Sequence, residues 1–256
     1  MFVLIAVGAS SATPLHAQED LRTRTEAADK IKQPPIVQKV AIIAALSLMP
    51  FAIMLLTSFL KMVIVLSLLR QALGVQNSPP NQVINGMALL MTIYVMFPTA
   101  LDMYKDAESY IEEKAPSVEA GFFSDTSAEY LVGIMERSRE PMRKFLARNS
   151  VNKHVSYFFQ LAKQKFPPPY QSQLKPHDFI VLIPAYITSQ VKTAFEIGVL
   201  IYLPFFVVDL VVSNILLAMG MMMLSPLTIA LPLKLLLLVM IDGWTLLVEG
   251  VVLTYR

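Results

Sequence analysis

The sequence predicts an all-α, membrane-associated protein: apolar helical hairpins broken by prolines, with a small polar helical domain inserted between two hydrophobic blocks. Three observations carry that prediction. The 256 residues are 55% hydrophobic and 16% charged, with mean hydropathy +0.56, which is too apolar for an ordinary soluble domain of this length. The apolar residues gather into two blocks, 40–101 and 179–256, on either side of a segment dense in charge. Prolines and glycines punctuate both blocks as helix breakers and turn formers.

The N-terminal segment, 1–39, opens with a short apolar run from Phe2 to Ala9 and a small-residue stretch, Leu15-His16-Ala17, before Gln18. That pattern fits a signal peptide over 1–17 followed by a polar linker. No Lys or Arg precedes the run, so the basic leader region is missing, and a truncated or misplaced start fits equally well.

From Val40 to Leu69 the chain is apolar, with Pro50 inside and Lys61 as its only charge. About 20 residues suffice to span a bilayer once. Gly74 and the cluster Asn77-Ser78-Pro79-Pro80-Asn81 end the helix, and Val83 to Leu101 supplies a second apolar stretch. The two make a helical hairpin over 40–101.

Residues 102–178 carry dense charge with apolar residues at helical spacing, and Pro167-Pro168-Pro169 marks a rigid break. The first half is acidic (Asp106, Glu108, Glu112, Glu113, Glu119) and the second basic (Arg137, Arg139, Arg143, Lys144, Arg148, Lys153). Solvated helix faces are the plain account of these runs, and a partner's contact surface is the other. Because the halves nearly cancel, the positive-inside rule assigns no orientation.

The last block, 179–256, is interrupted by Pro184, Pro204, Pro226 and Pro232 and by isolated charges. Four hydrophobic segments is the natural first count for the whole chain. Prolines and charges inside them favour helices that pack mainly against protein.

Composition also excludes chemistry. There is no cysteine, hence no disulfide and no thiolate. His16, His154 and His177 are widely spaced, without a metal-ligand pattern. Net charge is +2, too small to argue for nucleic acid. No P-loop, dinucleotide fingerprint or nucleophile elbow occurs, so neither an enzyme nor a cofactor is expected.

The most unusual stretch is Gly220-Met221-Met222-Met223-Leu224-Ser225-Pro226. Methionine is a common core filler, but three consecutive residues cannot all face one core stripe. Bracketed by Gly and Pro, they read as the tip of a helical hairpin. Asp209 and Lys234 are equidistant from that tip, roughly 18 Å down each arm at 1.5 Å per residue. A lone ion at bilayer depth costs several kcal/mol, so a contact between the two is a physical expectation, within one subunit or between neighbours. Such a pair fixes register between two helices; ion conduction is the alternative, and it would need further titratable groups at closely spaced depths. Lys192 and Glu196 lie four apart on one helix and can also pair. Asp242 beside Gly243 and Trp244 reads as a helix break with an interfacial Trp.

These residues carry a family resemblance as well. Thr57-Ser58-Phe59-Leu60-Lys61-Met62-Val63-Ile64-Val65-Leu66, then Leu68 to Gln76 and Pro79-Pro80-Asn81, resemble the first signature of the FliP/SctR export-gate proteins of bacterial type III secretion. A second signature appears as Ile183-Pro184-Ala185-Tyr186, Lys192 to Gly198, Leu203-Pro204-Phe205, Asp209-Leu210-Val211, Ala218 to Met223, Leu231 to Leu237 and Asp242-Gly243-Trp244. The resemblance covers about Ser47 to Val252 and is weakest in the central domain. Ser213 to Leu217, Leu224-Ser225-Pro226 and Pro79-Pro80-Asn81 with Asn85-Gly86 are similar to the virulence (injectisome) branch rather than the flagellar one.

The resemblance implies a non-enzymatic gate at the inner membrane. About five copies, with two smaller subunits (SctS/FliQ-like and SctT/FliR-like), would form a helical, cone-like channel lifted largely out of the bilayer plane, through which unfolded exported proteins pass. It places the central domain on the periplasmic side, makes Met221, Met222 and Met223 a channel gasket and makes Asp209 with Lys234 the steadying pair. The reading from another class is an ion- or proton-coupled transporter using Lys192, Glu196, Asp209 and Lys234.

Overall fold

The computed structural model describes residues 35–75, 78–114, 125–221 and 223–255, and every element among them is helical. The signal-peptide reading over 1–17, Gln76, Glu119 and Met222 lie outside the described residues.

Helices α1 (Pro35–Leu56) and α2 (Phe59–Leu73) share the first apolar run, bent by 67° at Thr57-Ser58. The break is not at Pro50, which lies inside α1. Thr57 supplies the local reason. Its hydroxyl donates back to the Ile53 carbonyl and accepts from the Phe59 N–H at 3.4 Å, offering the backbone an alternative to the helical ladder. Carbonyls at a break in apolar surroundings need donors. Tyr186 donates its hydroxyl to Thr57 O at 2.9 Å, and Tyr255 donates to Ser58 O at 3.2 Å.

Gly74 ends α2, and the Arg70 guanidinium ties the following turn by donating to Pro79 O at 3.1 Å and Asn81 Oδ1 at 2.7 Å. Helix α3 (Asn81–Lys114) then runs without interruption through Pro98 and through residue 102, where the composition turns polar. Helix α4 (Asp125–Arg148) packs back along it. Arg137 of the basic run lies 4.1 Å over the ring of Tyr110, which stands between Glu108 and Glu112 on α3.

Helix α5 (Asn152–Lys165) and the short α6 (Pro168–Gln171) lead into α7 (Phe179–Ala218). At 40 residues, α7 is about 60 Å long. Pro184 and Pro204 both lie inside it. A Pro in a helix removes one ladder bond, which packed neighbours compensate. Helices α8 (Pro226–Met240, with Pro232 inside) and α9 (Gly243–Leu253) follow, bent by 64° at Asp242, whose φ is 48°. The expected break beside Trp244 is there.

The core forms around α2. Met62, Val65 and Leu66 meet Ile84 and Ala88 of α3, Ala194 of α7 and Val251 of α9. One turn on, Leu69, Ala72 and Leu73 meet Phe205 and Leu238. Gly198 lets α2 and α7 approach closely: a Cβ there would stand 2.2 Å from Leu68 Cδ1. The polar segment is joined to α7 through Phe145 and Leu146 packed on Leu182 and Tyr186. Buried Ser189 accepts the Val151 N–H at 3.0 Å and contacts His154 Nδ1 at 2.8 Å, and Gln190 Nε2 donates to Asn149 O at 2.7 Å. The segment 102–178 is therefore anchored on the second apolar block.

Among the described residues, two stretches, Asn81–Glu108 and α7, are long and apolar enough to cross a membrane. If each bent pair is one span the total reaches four, matching the count of apolar segments.

Candidate functional site: the Met loop and its charged brace

The α7–α8 hairpin presents the candidate site. Helix α7 ends in a Schellman motif: Met221 N–H donates to Leu216 O at 3.0 Å and Gly220 N–H to Leu217 O at 3.0 Å. Gly220 occupies the left-handed position with φ 74°, where an L side chain is disfavoured. Pro226 starts α8 at a position where its missing N–H is harmless. The loop between these caps carries Met221 and Met223 outward, Met223 fully exposed, with Met219 and Leu224 exposed beside them. The third predicted residue, Met222, lies outside the described residues. Among the described residues, none beyond its chain neighbours lies within 4 Å of a Cβ built at Gly220.

Down the arms, Val212 and Leu216 of α7 pack on Ala230 of α8. Below them Lys234 Nζ meets Asp209 Oδ2 at 2.8 Å, within one chain. Lys234 is 2% exposed, whereas the Asp209 side chain is 36% exposed. The ammonium also donates to Ala72 O at 3.0 Å. Ala72 lies in the last turn of α2, where carbonyls lack ladder partners and the helix dipole favours a cation. Lys234 thus ties three helices: it closes the hairpin and fastens it to the central helix. Sequence spacing identified Asp209; the Ala72 carbonyl carried no signal, because every residue has one.

Lys192 and Glu196 pair at 3.2 Å, but both side chains are more than half exposed. Along α7, Glu196 is about 20 Å from Asp209. The structure does not bring the two pairs together, and no cluster of three or more metal-ligating side chains occurs among the described residues.

A second buried cation went unassigned in sequence reasoning. Lys61, 3% exposed, donates to Thr254 Oγ1 at 3.1 Å and lies 3.8 Å from the Tyr255 ring centroid. Its signal was its position as the single charge of an apolar run. It fastens the α9 end to α2, beside the bend that Tyr186 and Tyr255 cap.

Comparison with known proteins places these features. Residues 42–251 match the FliP family model. The chain is 40% identical over 212 residues to the hypersensitivity response secretion protein HrcR of Ralstonia nicotianae, covering 83% of this chain and 94% of that one. It is 41% identical over 225 residues to Yop proteins translocation protein R of Yersinia pestis, covering 88% and 99%. To the flagellar biosynthetic protein FliP of Pectobacterium carotovorum it is 39% identical over 211 residues, covering 82% and 75%.

Proposed function

The chain belongs to the FliP family, and from that premise we propose that it lines the export channel of a type III secretion apparatus and seals it with the Met loop. The coarse function follows from membership. The chain is a component of the type III secretion export apparatus, a non-enzymatic inner-membrane protein that assembles with other subunits.

The finer reading rests on one observation: an exposed methionine tip at the end of a hairpin whose arms are locked by a buried charge. About five copies wound into a helical cone would bring their tips around one axis. Thioether side chains have several rotatable bonds and no hydrogen-bonding demand, so they can seal against ions and yield around an unfolded chain. A constriction of this kind gates by excluding water. In this reading two smaller subunits, SctS/FliQ-like and SctT/FliR-like, complete the assembly, and 102–178 sits on the periplasmic side.

The virulence branch is favoured by Ser213 to Leu217, Leu224-Ser225-Pro226 and Pro79-Pro80-Asn81 with Asn85-Gly86, which are similar to that branch. Export of virulence proteins rather than flagellar parts is the corresponding substrate class. The transporter reading is disfavoured by the separation of the two charged pairs on α7.

The test is conductance of the assembled complex in a planar bilayer. Replacing Met221, Met222 and Met223 with Ala is expected to raise the ion leak by about tenfold or more, as a dewetted constriction widens. Unchanged conductance in assembled variants would remove the gasket.

A further inference from the structure

Glu249 is a carboxylate without a partner. The other acids of the two apolar blocks are all engaged: Glu196 pairs with Lys192, Asp209 pairs with Lys234, and Asp242 accepts the Thr245 hydroxyl. Glu249 is exposed, is the single charge of α9, and makes neither an ion pair nor a hydrogen bond among the described residues. It stands on the wall of an apolar groove of about 560 Å³ between the middle of α3 and α9, with Met91, Tyr94, Trp244, Val248 and Val252 around it. Covering such a groove leaves the carboxylate costly unless the covering surface brings a cation.

The chain carries one such surface. Among the described cations of the apolar blocks, Lys61 and Lys234 are buried with partners, and Arg70 is tied to Pro79 and Asn81. Lys192 remains: its side chain is 52% exposed and has one acceptor, Glu196, for three N–H donors. It heads a stripe of α7. Phe195, Val199, Leu203, Phe206 and Leu210 lie within about 60° of it around the helix, over about 27 Å, and all are exposed. An apolar helical stripe with anchors three and four residues apart is the form that seats in an apolar groove. Within the chain, Lys192 and Glu249 do not meet.

We propose that the α3–α9 groove of one copy receives the α7 stripe of the next copy, with Lys192 of the incoming helix paired to Glu249. The proposal rests on the multi-copy reading above and assigns the surfaces that meet. Groove and stripe are different parts of the chain, so the contact is heterologous and propagates head to tail, which winds into a helix when the rotation does not close. The apolar contact supplies the area, and the ion pair sets the register, because a slip of one helical turn separates the charges. An open row of this kind leaves one vacant groove and one uncovered stripe at its two ends.

The test uses the full chain in membranes with its partner subunits. The sequence has no cysteine, so introduced thiols report alone. Lys192→Cys and Glu249→Cys copies with different tags are co-expressed and treated with a short bismaleimide, because the replaced side chains reach further than a disulfide permits. A cross-linked pair is expected between the two variants, and none where either variant is expressed alone. In native electrophoresis, Lys192→Glu or Glu249→Lys is expected to lower the assembled fraction by about tenfold, and the double reversal to recover most of it. Both side chains are exposed, so folding of the single copy is not at stake. Assembly without that cross-link, cross-linking of one variant to itself, or indifference to both single reversals would overturn this interface and leave the multi-copy reading standing. So would a photoreactive maleimide on Glu249→Cys that captures a smaller subunit or a lipid in place of a second copy. Failure of the unmodified chain to assemble at all would overturn both.

Discussion

Lys234 shows what one side chain decides in this protein. Its ammonium is buried with two partners, Asp209 Oδ2 and Ala72 O, while the carboxylate keeps partial access to water. The two ends of the pair should therefore respond unequally to removal. Asp209→Leu leaves a buried ammonium with one carbonyl and is expected to destabilise by about 3–5 kcal/mol. Lys234→Met leaves a carboxylate that water reaches and one helix-end carbonyl, at about 1–3 kcal/mol. The double variant, with neither charge, should recover most of the loss. Thermal unfolding in detergent checks the order; a costlier Lys234→Met would mean that Asp209, not Lys234, is the desolvated member. Part of this residue's role is legible from spacing alone, because an antiparallel hairpin forces partners to equal distances from its tip. The tie to α2 is not, since a backbone acceptor carries no side-chain signature.

At the scale of the element, proline was an incomplete guide to where helices end. Pro50, Pro98, Pro184, Pro204 and Pro232 lie inside helices, while the sharp bends fall at Thr57-Ser58 and Asp242. A lost ladder bond can be absorbed by packing, whereas a bend persists where the released carbonyls find donors, as Tyr186 and Tyr255 provide. Those donors lie far along the chain, so no local window reveals them. The packing of α2 on α7 is set by another local detail. A methyl group at Gly198 meets the Leu68 side chain, including its Cβ at 3.3 Å. Gly198→Ala is expected to destabilise by about 1–3 kcal/mol through overpacking, and Leu68→Ala on that background should restore part of it. Detergent melting temperatures of the single and double variants measure this coupling. Additive losses would show that the two helices do not meet there.

At the scale of the whole molecule, the chain is unfinished alone. Long apolar faces of α3 and α7 remain exposed, among them Leu90, Ile93 and Tyr94 on α3 and Val199, Leu200 and Leu203 on α7. Such faces mark membrane or subunit contacts. The charged groups are dispersed over α7 and α8 rather than lined up as a relay. The isolated chain in liposomes is therefore expected to conduct neither protons nor ions above background, and conductance should appear only with its partner subunits. Proton-driven flux by the chain alone would restore the transporter reading.

The sequence by itself determined the helical class, the apolar blocks, the Met tip and the Asp209–Lys234 partnership. Hydrophobic composition, helix breakers and hairpin symmetry are local properties that act wherever the chain folds. The tertiary structure decided where the helices bend, which helix Lys234 fastens and how Lys61 is housed. It also seated the polar segment on α7 through Ser189 and Gln190. Each of those depends on a carbonyl, hydroxyl or ring brought from a distant part of the chain, and only folding creates that proximity.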